Sequence, residues 1–273
     1  MPKYTVAVAL SNPANVPKLI HLAALIAIEY GGELVVASIV PAPDEDGGPA
    51  DADVFDKAQS LVQSACEAAT ARGLPCDRHV VVGQHIHEGI VNVAEGHQAN
   101  LLVMGMSESP SSLHEAPDTE FDRMVDAVSA HAPCNVLMAK FRDGMHFDNA
   151  LVGISDHIDF AMAQQIIVPL HHQAGVEIEF VSFVTSKQQV EQTHTQVKQS
   201  LEEAGLTDCG RLTVQVTQET ADALIEASKS YDLLLIGTPP LYQLKHRLLG
   251  TVAEQVVHNA YSTTLVMRPA EAG

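Results

Sequence analysis

Apolar residues follow two periods along this chain, short β-branched runs and longer stretches in which apolar positions recur every three or four residues. The short runs predict strands, and the longer stretches, such as residues 16–30 and 160–172, predict helices. The predicted strands lie near residues 4–10, 34–40, 77–83, 100–105, 135–140, 149–154, 176–184, 211–216, 232–237 and 263–268. Strands that alternate with helices predict an α/β fold.

The same order of elements occurs twice. Segment 99–105 parallels segment 231–237, and 135–140 parallels 263–268. This repeat predicts two domains, residues 1–144 and 145–273, each a five-stranded, mainly parallel, doubly wound sheet with helices on both faces. Ligands of such sheets bind outside the carboxyl ends of the strands, where the strand order reverses.

Composition and charge exclude several classes of partner. Hydrophobic residues make up 46% of the 273 residues, enough for a packed core. The 34 acidic residues outnumber the 15 Lys and Arg residues, and the chain has no Trp. Nucleic acids and anionic membranes require clustered basic residues, so neither is an expected partner.

Targeting signals and cysteines point to the cytoplasm. The first residues show no secretory signal, and the longest apolar stretch, residues 19–28, is about half of a bilayer span. We therefore expect a cytoplasmic protein without membrane insertion. The spacing of Cys66, Cys76, Cys134 and Cys209 matches no zinc or disulfide framework, which predicts reduced, mostly buried thiols.

The strongest candidate for chemistry lies in the second half. Gly250 and Thr251 open a predicted helix, where backbone N–H groups, a hydroxyl and the helix dipole can hold a phosphate. Lys245 and Arg247 add positive charge nearby in the sequence. A purely structural interpretation is also open, in which Gly250 ends a turn and Thr251 caps the helix.

Several segments resemble the universal stress protein (UspA-like) family in tandem form. They are Asp-Leu-Leu-Leu-Ile-Gly at 232–237, Leu-Leu-Gly-Thr-Val-Ala-Glu-Gln-Val-Val-His at 248–258, His-Ala-Pro-Cys-Asn-Val-Leu-Met at 131–138 and Gly-Gln-His-Ile-His-Glu-Gly-Ile at 83–90. The resemblance covers nearly the whole chain. The opening Leu-Ser-Asn-Pro at 10–13 is similar to such domains that accompany permeases and antiporters.

The resemblance implies an ATP or AMP site in the second domain. Members that bind ATP have the pattern Gly-x2-Gly-x9-Gly-[Ser/Thr], which Gly237, Gly250 and Thr251 match while Pro240 replaces the second glycine. Pro240 lacks an N–H donor. Ser155 takes the place of the ribose-binding Asp, and the backbone of Val184 would meet adenine. The predicted site is Ser155, Val184, Gly237, Thr238, Pro240, Gly250, Thr251 and Val252.

The first domain is expected not to bind nucleotide. Asp122 and Arg123 replace the Gly-Thr pair, and Ala9 or Leu10 stands at the ribose position. Carboxylates gather where a triphosphate would lie, and like charges there oppose binding. They are Glu108, Glu115, Asp118, Glu120 and Asp122.

Metal-binding and catalytic patterns are incomplete. The chain has 14 histidines, but His85-x-His87, His171-His172 and Asp156-His157-x-Asp159 each lack a full ligand set. We expect these histidines to have surface or capping roles, and no metal beyond an ion that accompanies a nucleotide. No catalytic sequence motif stands out, and no general base is identifiable near the loop, so the chain is not expected to be an enzyme.

Two functions remain open at this point. One is a non-catalytic, cytoplasmic stress-response module that senses ATP or AMP through its second domain. The alternative is a nucleotide-independent interaction module that regulates a transporter or another protein. The apolar terminal strands of the two domains resemble strands that pair across dimers in the family. They predict an intramolecular pseudo-dimer, with a homodimer as a further possibility.

Overall fold

The computed structural model describes residues 3–43, 52–106, 120–142, 147–156, 158–238 and 251–270. The chain divides into two compact units, Met1–Leu137 with Ala270–Gly273, and Met138–Pro269. The domain boundary predicted after residue 144 stays a prediction, because residues 143–146 lie outside the described part of the chain.

The first half of the chain alternates strands and helices. The strands are β1 (Thr5–Ala9), β2 (Glu33–Pro41), β3 (Cys76–Gly83), β4 (Leu101–Gly105) and β5 (Asn135–Lys140). The helices are α1 (Val16–Glu29), α2 (Ala52–Thr70), α3 (Ile86–Gly96) and α4 (Glu120–His131). The strand order is β3-β2-β1-β4-β5. β1 pairs in parallel with β2 and β4, and β2 pairs in parallel with β3.

The second half repeats this arrangement. Its strands are β6 (Asn149–Ile154), β7 (Glu177–Val184), β8 (Gly210–Val216), β9 (Leu233–Gly237) and β10 (Thr263–Arg268). Its helices are α5 (Phe160–Ala174), α6 (Val190–Glu203), α7 (Thr220–Ala227) and α8 (Thr251–Asn259). The order is β10-β9-β6-β7-β8, and β6–β7, β6–β9, β7–β8 and β9–β10 are parallel pairs. The predicted parallel α/β fold is confirmed.

Helix α5 shows how the sequence sets the limits of an element. The side chain of Asp159 accepts a hydrogen bond from the backbone N–H of Met162 at 2.8 Å, which caps the first turn. At the other end Gly175 adopts a φ of 69°, a left-handed conformation that glycine tolerates best. One face of α5 is fully buried, through Met162, Ala163, Ile166, Ile167 and Leu170. The predicted helix over 160–172 therefore extends by two residues.

A polar network fixes the amino ends of the strands in the second unit. Glu179 in β7 is 9% exposed and accepts hydrogen bonds from Arg211 Nε at 2.9 Å, the Tyr231 hydroxyl at 2.8 Å and the Thr213 hydroxyl at 3.1 Å. Burial by itself would raise the pKa of Glu179, but the Arg211, Tyr231 and Thr213 hydrogen bonds outweigh it and lower the pKa. The network ties β7 to β8 and to the segment before β9, at the edge opposite the carboxyl ends of the strands.

The expectation of four reduced thiols is wrong for one pair. Cys66 in α2 and Cys76 in β3 form a disulfide, with Cα atoms 5.4 Å apart. The sequence spacing could not reveal this pairing, because it arises when α2 packs across β3. Cys134 and Cys209 are free and buried, as expected, and burial raises the pKa of the Cys134 thiol to about 12.

Candidate functional site

The predicted nucleotide site lies at the carboxyl edge of the second unit's sheet. β6 has β7 on one side and β9 on the other, so the strand order reverses between β6 and β9. Ser155 follows β6 directly, and Gly237 is the last residue of β9. Val184 ends β7 at the same edge, because all these strands run in parallel. The structure therefore places Ser155 and Gly237 at the reversal point, and Val184 at the end of the next strand on the same edge of the sheet.

The segment after β6 is exposed and turns sharply. Ser155 and Asp156 are both exposed, and the Ser155 carbonyl accepts a hydrogen bond from the Ile158 N–H at 3.1 Å. Asp159 caps α5, so its carboxylate is already engaged by the helix. Asp156 is the exposed carboxylate nearest in sequence to the position where the family has its ribose-binding Asp.

Val184 offers backbone atoms at the end of β7. Its side chain is 9% exposed, and its carbonyl accepts a hydrogen bond from the Thr217 N–H at 2.9 Å. A carbonyl oxygen has two lone pairs, so one acceptor direction remains after this bond. The predicted contact with the adenine edge is compatible with this geometry and stays a prediction.

Thr238 has an interior position that the sequence did not indicate. It is 1% exposed, and its backbone N–H donates to the Met267 carbonyl at 3.2 Å. Its hydroxyl accepts a hydrogen bond from Arg268 Nη1 at 3.3 Å and donates one to the Met267 carbonyl at 3.4 Å. The backbone N–H and the hydroxyl of Thr238 thus both bond to residues of β10. A nucleotide contact by Thr238 remains a prediction.

Arg268 is a charged residue that the site prediction missed. It ends β10, is 2% exposed and places a buried guanidinium beside Thr238 at the carboxyl edge of the sheet. The signal in the sequence is a basic residue that closes an otherwise apolar strand, Thr-Thr-Leu-Val-Met-Arg. Its positive charge lies next to the residues that follow Gly237.

Helix α8 begins at Thr251. Its first N–H groups have no partner within the helix, and the positive end of its dipole favours an anion. Val252 in the first turn is 43% exposed. Pro240, Gly250, Lys245 and Arg247 lie outside the described residues. The phosphate-binding half of the prediction therefore rests on the start of α8.

The first unit differs at the equivalent edge. Leu10, which follows β1, is 3% exposed, and its N–H donates to the Ala37 carbonyl at 2.8 Å. The leucine side chain has no oxygen that could bind a ribose, whereas the second unit has the exposed Ser155 and Asp156 there. Helix α4 starts at Glu120 and has Asp122 in its first turn, while Glu108, Glu115 and Asp118 lie outside the described residues.

The chain thus contains two doubly wound α/β units, and the second has a candidate ligand edge at its strand reversal. The model of the universal stress protein family matches residues 3–140 and 167–268. The chain belongs to the universal stress protein family, which confirms the resemblance seen in the sequence. No helix among the described residues combines the length and the apolar character that crossing a bilayer requires.

Similar proteins include transporters as well as stress proteins. The chain is 24% identical over 268 residues to the Na(+)/H(+) antiporter NhaS5 of Synechocystis sp., a match that covers 95% of this chain and 38% of that protein's length. A universal stress protein from Archaeoglobus fulgidus has a similar structure, with a TM-score of 0.66, 13% identity and coverage of 98% of this chain and 97% of that one.

A second similar structure is the cytoplasmic domain of a prokaryotic cation chloride cotransporter. The TM-score is 0.66 at 14% identity, with 98% of this chain and 96% of that chain covered. At such identities the structural matches show a shared fold alone.

Proposed function

We propose that the second unit binds an adenine nucleotide, ATP or AMP, and that the first unit does not. The observation that supports this most is the position of Ser155 and Gly237 at the strand reversal of the second unit, with Val184 at the end of the neighbouring strand on the same edge. The first unit has a buried Leu10 at the corresponding ribose position.

In this proposal each part of the nucleotide meets a different element. The first turn of α8, with the Thr251 hydroxyl, holds phosphate through N–H groups and the helix dipole. Ser155 and Asp156 hydrogen-bond the ribose hydroxyls, and the backbone of Val184 meets the adenine edge. The only metal in this site would be an ion that accompanies the phosphates. The module would be non-catalytic and cytoplasmic, and would act in a stress response.

Calorimetric titration of the full chain with ATP and with AMP tests this proposal. We expect one nucleotide per chain and about 10- to 100-fold weaker binding by Thr251→Ala. The reason is that a hydrogen bond to a charged group contributes about 1.5–3 kcal/mol, and about 1.4 kcal/mol corresponds to a factor of ten.

The matched control is Arg123→Ala, because Arg123 aligns with Thr251 when the terminal strands of the two halves are matched in the sequence. This variant should bind nucleotide as the unchanged chain does. Absence of binding heat with both nucleotides would refute nucleotide binding. Equal weakening by Arg123→Ala would refute the assignment to the second unit.

A second function, as an accessory module of a cation transporter, is favoured by two of the comparisons. The chain matches 38% of the length of an Na(+)/H(+) antiporter and shares its fold with the cytoplasmic domain of a cation chloride cotransporter. In this function the chain would bind the transporter through its surface and need no nucleotide. Pairing of the two terminal strands in a pseudo-dimer, and a homodimer of whole chains, remain further predictions.

Affinity capture from detergent-solubilised membranes of the source cells tests the transporter function. With the full chain as bait, mass spectrometry should identify a cation transporter, and the Thr251→Ala bait should retain it equally well. A capture that returns no transporter above an unrelated acidic bait would count against this function. Loss of the transporter from the Thr251→Ala bait would instead show that the interaction depends on nucleotide.

A further inference from the structure

Three side chains with metal-ligand atoms meet at one end of β3 in the first unit. Asp77 and His79 lie on β3, and His97 directly follows α3. One ligand atom from each lies within 4.8 Å of the others. His79 Nε2 is 3.2 Å from Asp77 Oδ2, and the rings of His79 and His97 are 4.6 Å apart between centroids. Sequence spacing alone did not indicate this set, because His97 reaches it only when α3 packs back along the sheet.

The geometry of an edge strand explains why the three residues converge. Side chains alternate between the two faces of a strand, so Asp77 and His79 share one face and Cys76 and Arg78 share the other. The disulfide from Cys76 to α2 identifies the second face as the one that α2 covers. The first face is therefore the one on which the end of α3 places His97. Arg78, the neighbouring cation, points away from the cluster.

The chemistry of this ligand set selects the type of cation. Imidazole nitrogens favour zinc, copper, nickel and iron, whereas magnesium and calcium prefer sets of oxygens. Two histidines and one carboxylate are a known three-ligand set for zinc, with a water molecule as the fourth ligand. The Asp77 side chain is 61% exposed and that of His79 is 32% exposed, so an ion and its water can reach the site.

The distances between the ligand atoms are close to those around a bound zinc ion, so zinc binding needs only a small rearrangement of side chains. Ligands at about 2.0–2.1 Å from a tetrahedral zinc lie about 3.3 Å from one another. The His79–Asp77 pair already has nearly this separation, and His97 needs to approach by a rotation of its partly exposed side chain. Two of the three residues lie on β3, and the third directly follows α3.

We propose that Asp77, His79 and His97 form a binding site for a divalent transition-metal ion. Zn²⁺ is the ion used to test the site. The ion links the start of β3, through Asp77 and His79, to the end of α3, through His97. The site is in the first unit and does not depend on nucleotide binding by the second.

Other histidine pairs provide the necessary control, because a chain with 14 histidines binds metal ions weakly at many places. The rings of His85 and His87 are 5.6 Å apart, a separation similar to that in the proposed site, but no carboxylate completes a compact three-ligand group there among the described residues. Replacing both by glutamine removes two surface histidines and leaves the proposed ligands untouched.

Calorimetric titration of the full chain with zinc tests the proposal. We expect one site of highest affinity, weakened at least about tenfold by His97→Gln, because even changes outside the ligand shell weaken metal sites about 10- to 100-fold. His79→Gln should have the same effect, and His85→Gln/His87→Gln should bind zinc as the unchanged chain does. Circular dichroism and metal-free melting must show that each variant folds.

The position of the ion gives a second measurement. A zinc-soaked crystal should show an anomalous difference peak among Asp77, His79 and His97, and Mg²⁺ should not compete in the titration. Zinc should also raise the melting midpoint of the unchanged chain but not that of His97→Gln. A peak only at other histidines, or equal binding by His97→Gln and the unchanged chain, would overturn the proposal.

Discussion

Replacing Gly210 by alanine is expected to destabilise the second unit by about 3 kcal/mol, the upper part of the range for overpacking. Gly210 is the first residue of β8 and stands opposite Ile178 of β7. A Cβ atom on Gly210 would lie 2.2 Å from the Ile178 carbonyl oxygen and 2.8 Å from the Ile178 Cβ. The obstacle is the main chain of the neighbouring strand, so relief requires the start of β8 to separate from β7.

The conformation of Gly210 adds nothing to this effect. Its φ of −176° is extended backbone that any residue adopts, so the expected loss comes from the overlap alone. Native-state hydrogen exchange, read by peptide mass spectrometry, measures the opening free energy of β7 and β8 separately from that of the first unit.

Gly153→Ala in β6 is the matched control within the same unit. There the added Cβ would meet Ile236 and Leu224 at 3.5 Å, which is ordinary van der Waals contact. Because alanine lowers the entropy of the unfolded chain, this change should be neutral or stabilising by about 0.4–1 kcal/mol. Equal stability of Gly210→Ala and Gly153→Ala would show that β8 can shift at no cost.

The fold was predictable because its signals are local and repeated. Each buried strand is a short apolar run, and the second half repeats the first. An error at one strand boundary therefore leaves the predicted fold unchanged. Each observed strand begins and ends within one residue of the prediction; β8, for example, starts at Gly210 instead of residue 211. Alternation of strands and helices then restricts the topology to a parallel, doubly wound sheet.

The candidate nucleotide site was predictable in place but not in detail. Ser155, Val184 and Gly237 are the ends of strands, and the carboxyl ends of parallel strands must meet at one edge. No comparable rule fixes the direction in which a side chain just beyond the end of a strand points. Thr238 therefore turned out to be buried against Met267 and Arg268, where its polar groups hold two strands together.

Features that depend on packing between elements were not predictable from spacing. The Cys66–Cys76 bond requires α2 to lie across β3, and the cluster of Asp77, His79 and His97 requires α3 to return to the start of β3. Both occur at adjacent residues of the same edge strand, on its opposite faces. Half-exposed edge strands have weak patterning, so their side-chain partners become visible only in three dimensions.

Reduction of the Cys66–Cys76 disulfide is expected to lower the opening free energy of α2 and β3 by about 3 kcal/mol. The bond links residues separated by ten positions, and closing a loop of this length restricts the unfolded chain by about that amount. Hydrogen exchange with and without a reductant measures the change, and peptides from β7 and β8 in the second unit should be unaffected.

The double variant Cys66→Ser/Cys76→Ser separates the bond from other effects of the reductant. Its exchange should match that of the reduced chain and should not respond to reductant. In denaturant without reductant, the unchanged chain should expose two reactive thiols, those of Cys134 and Cys209, and four after reduction. Four thiols without reductant would contradict the bond. Because a cytoplasm keeps most thiols reduced, the difference also measures how far the stability of this edge depends on the compartment in which the chain folds.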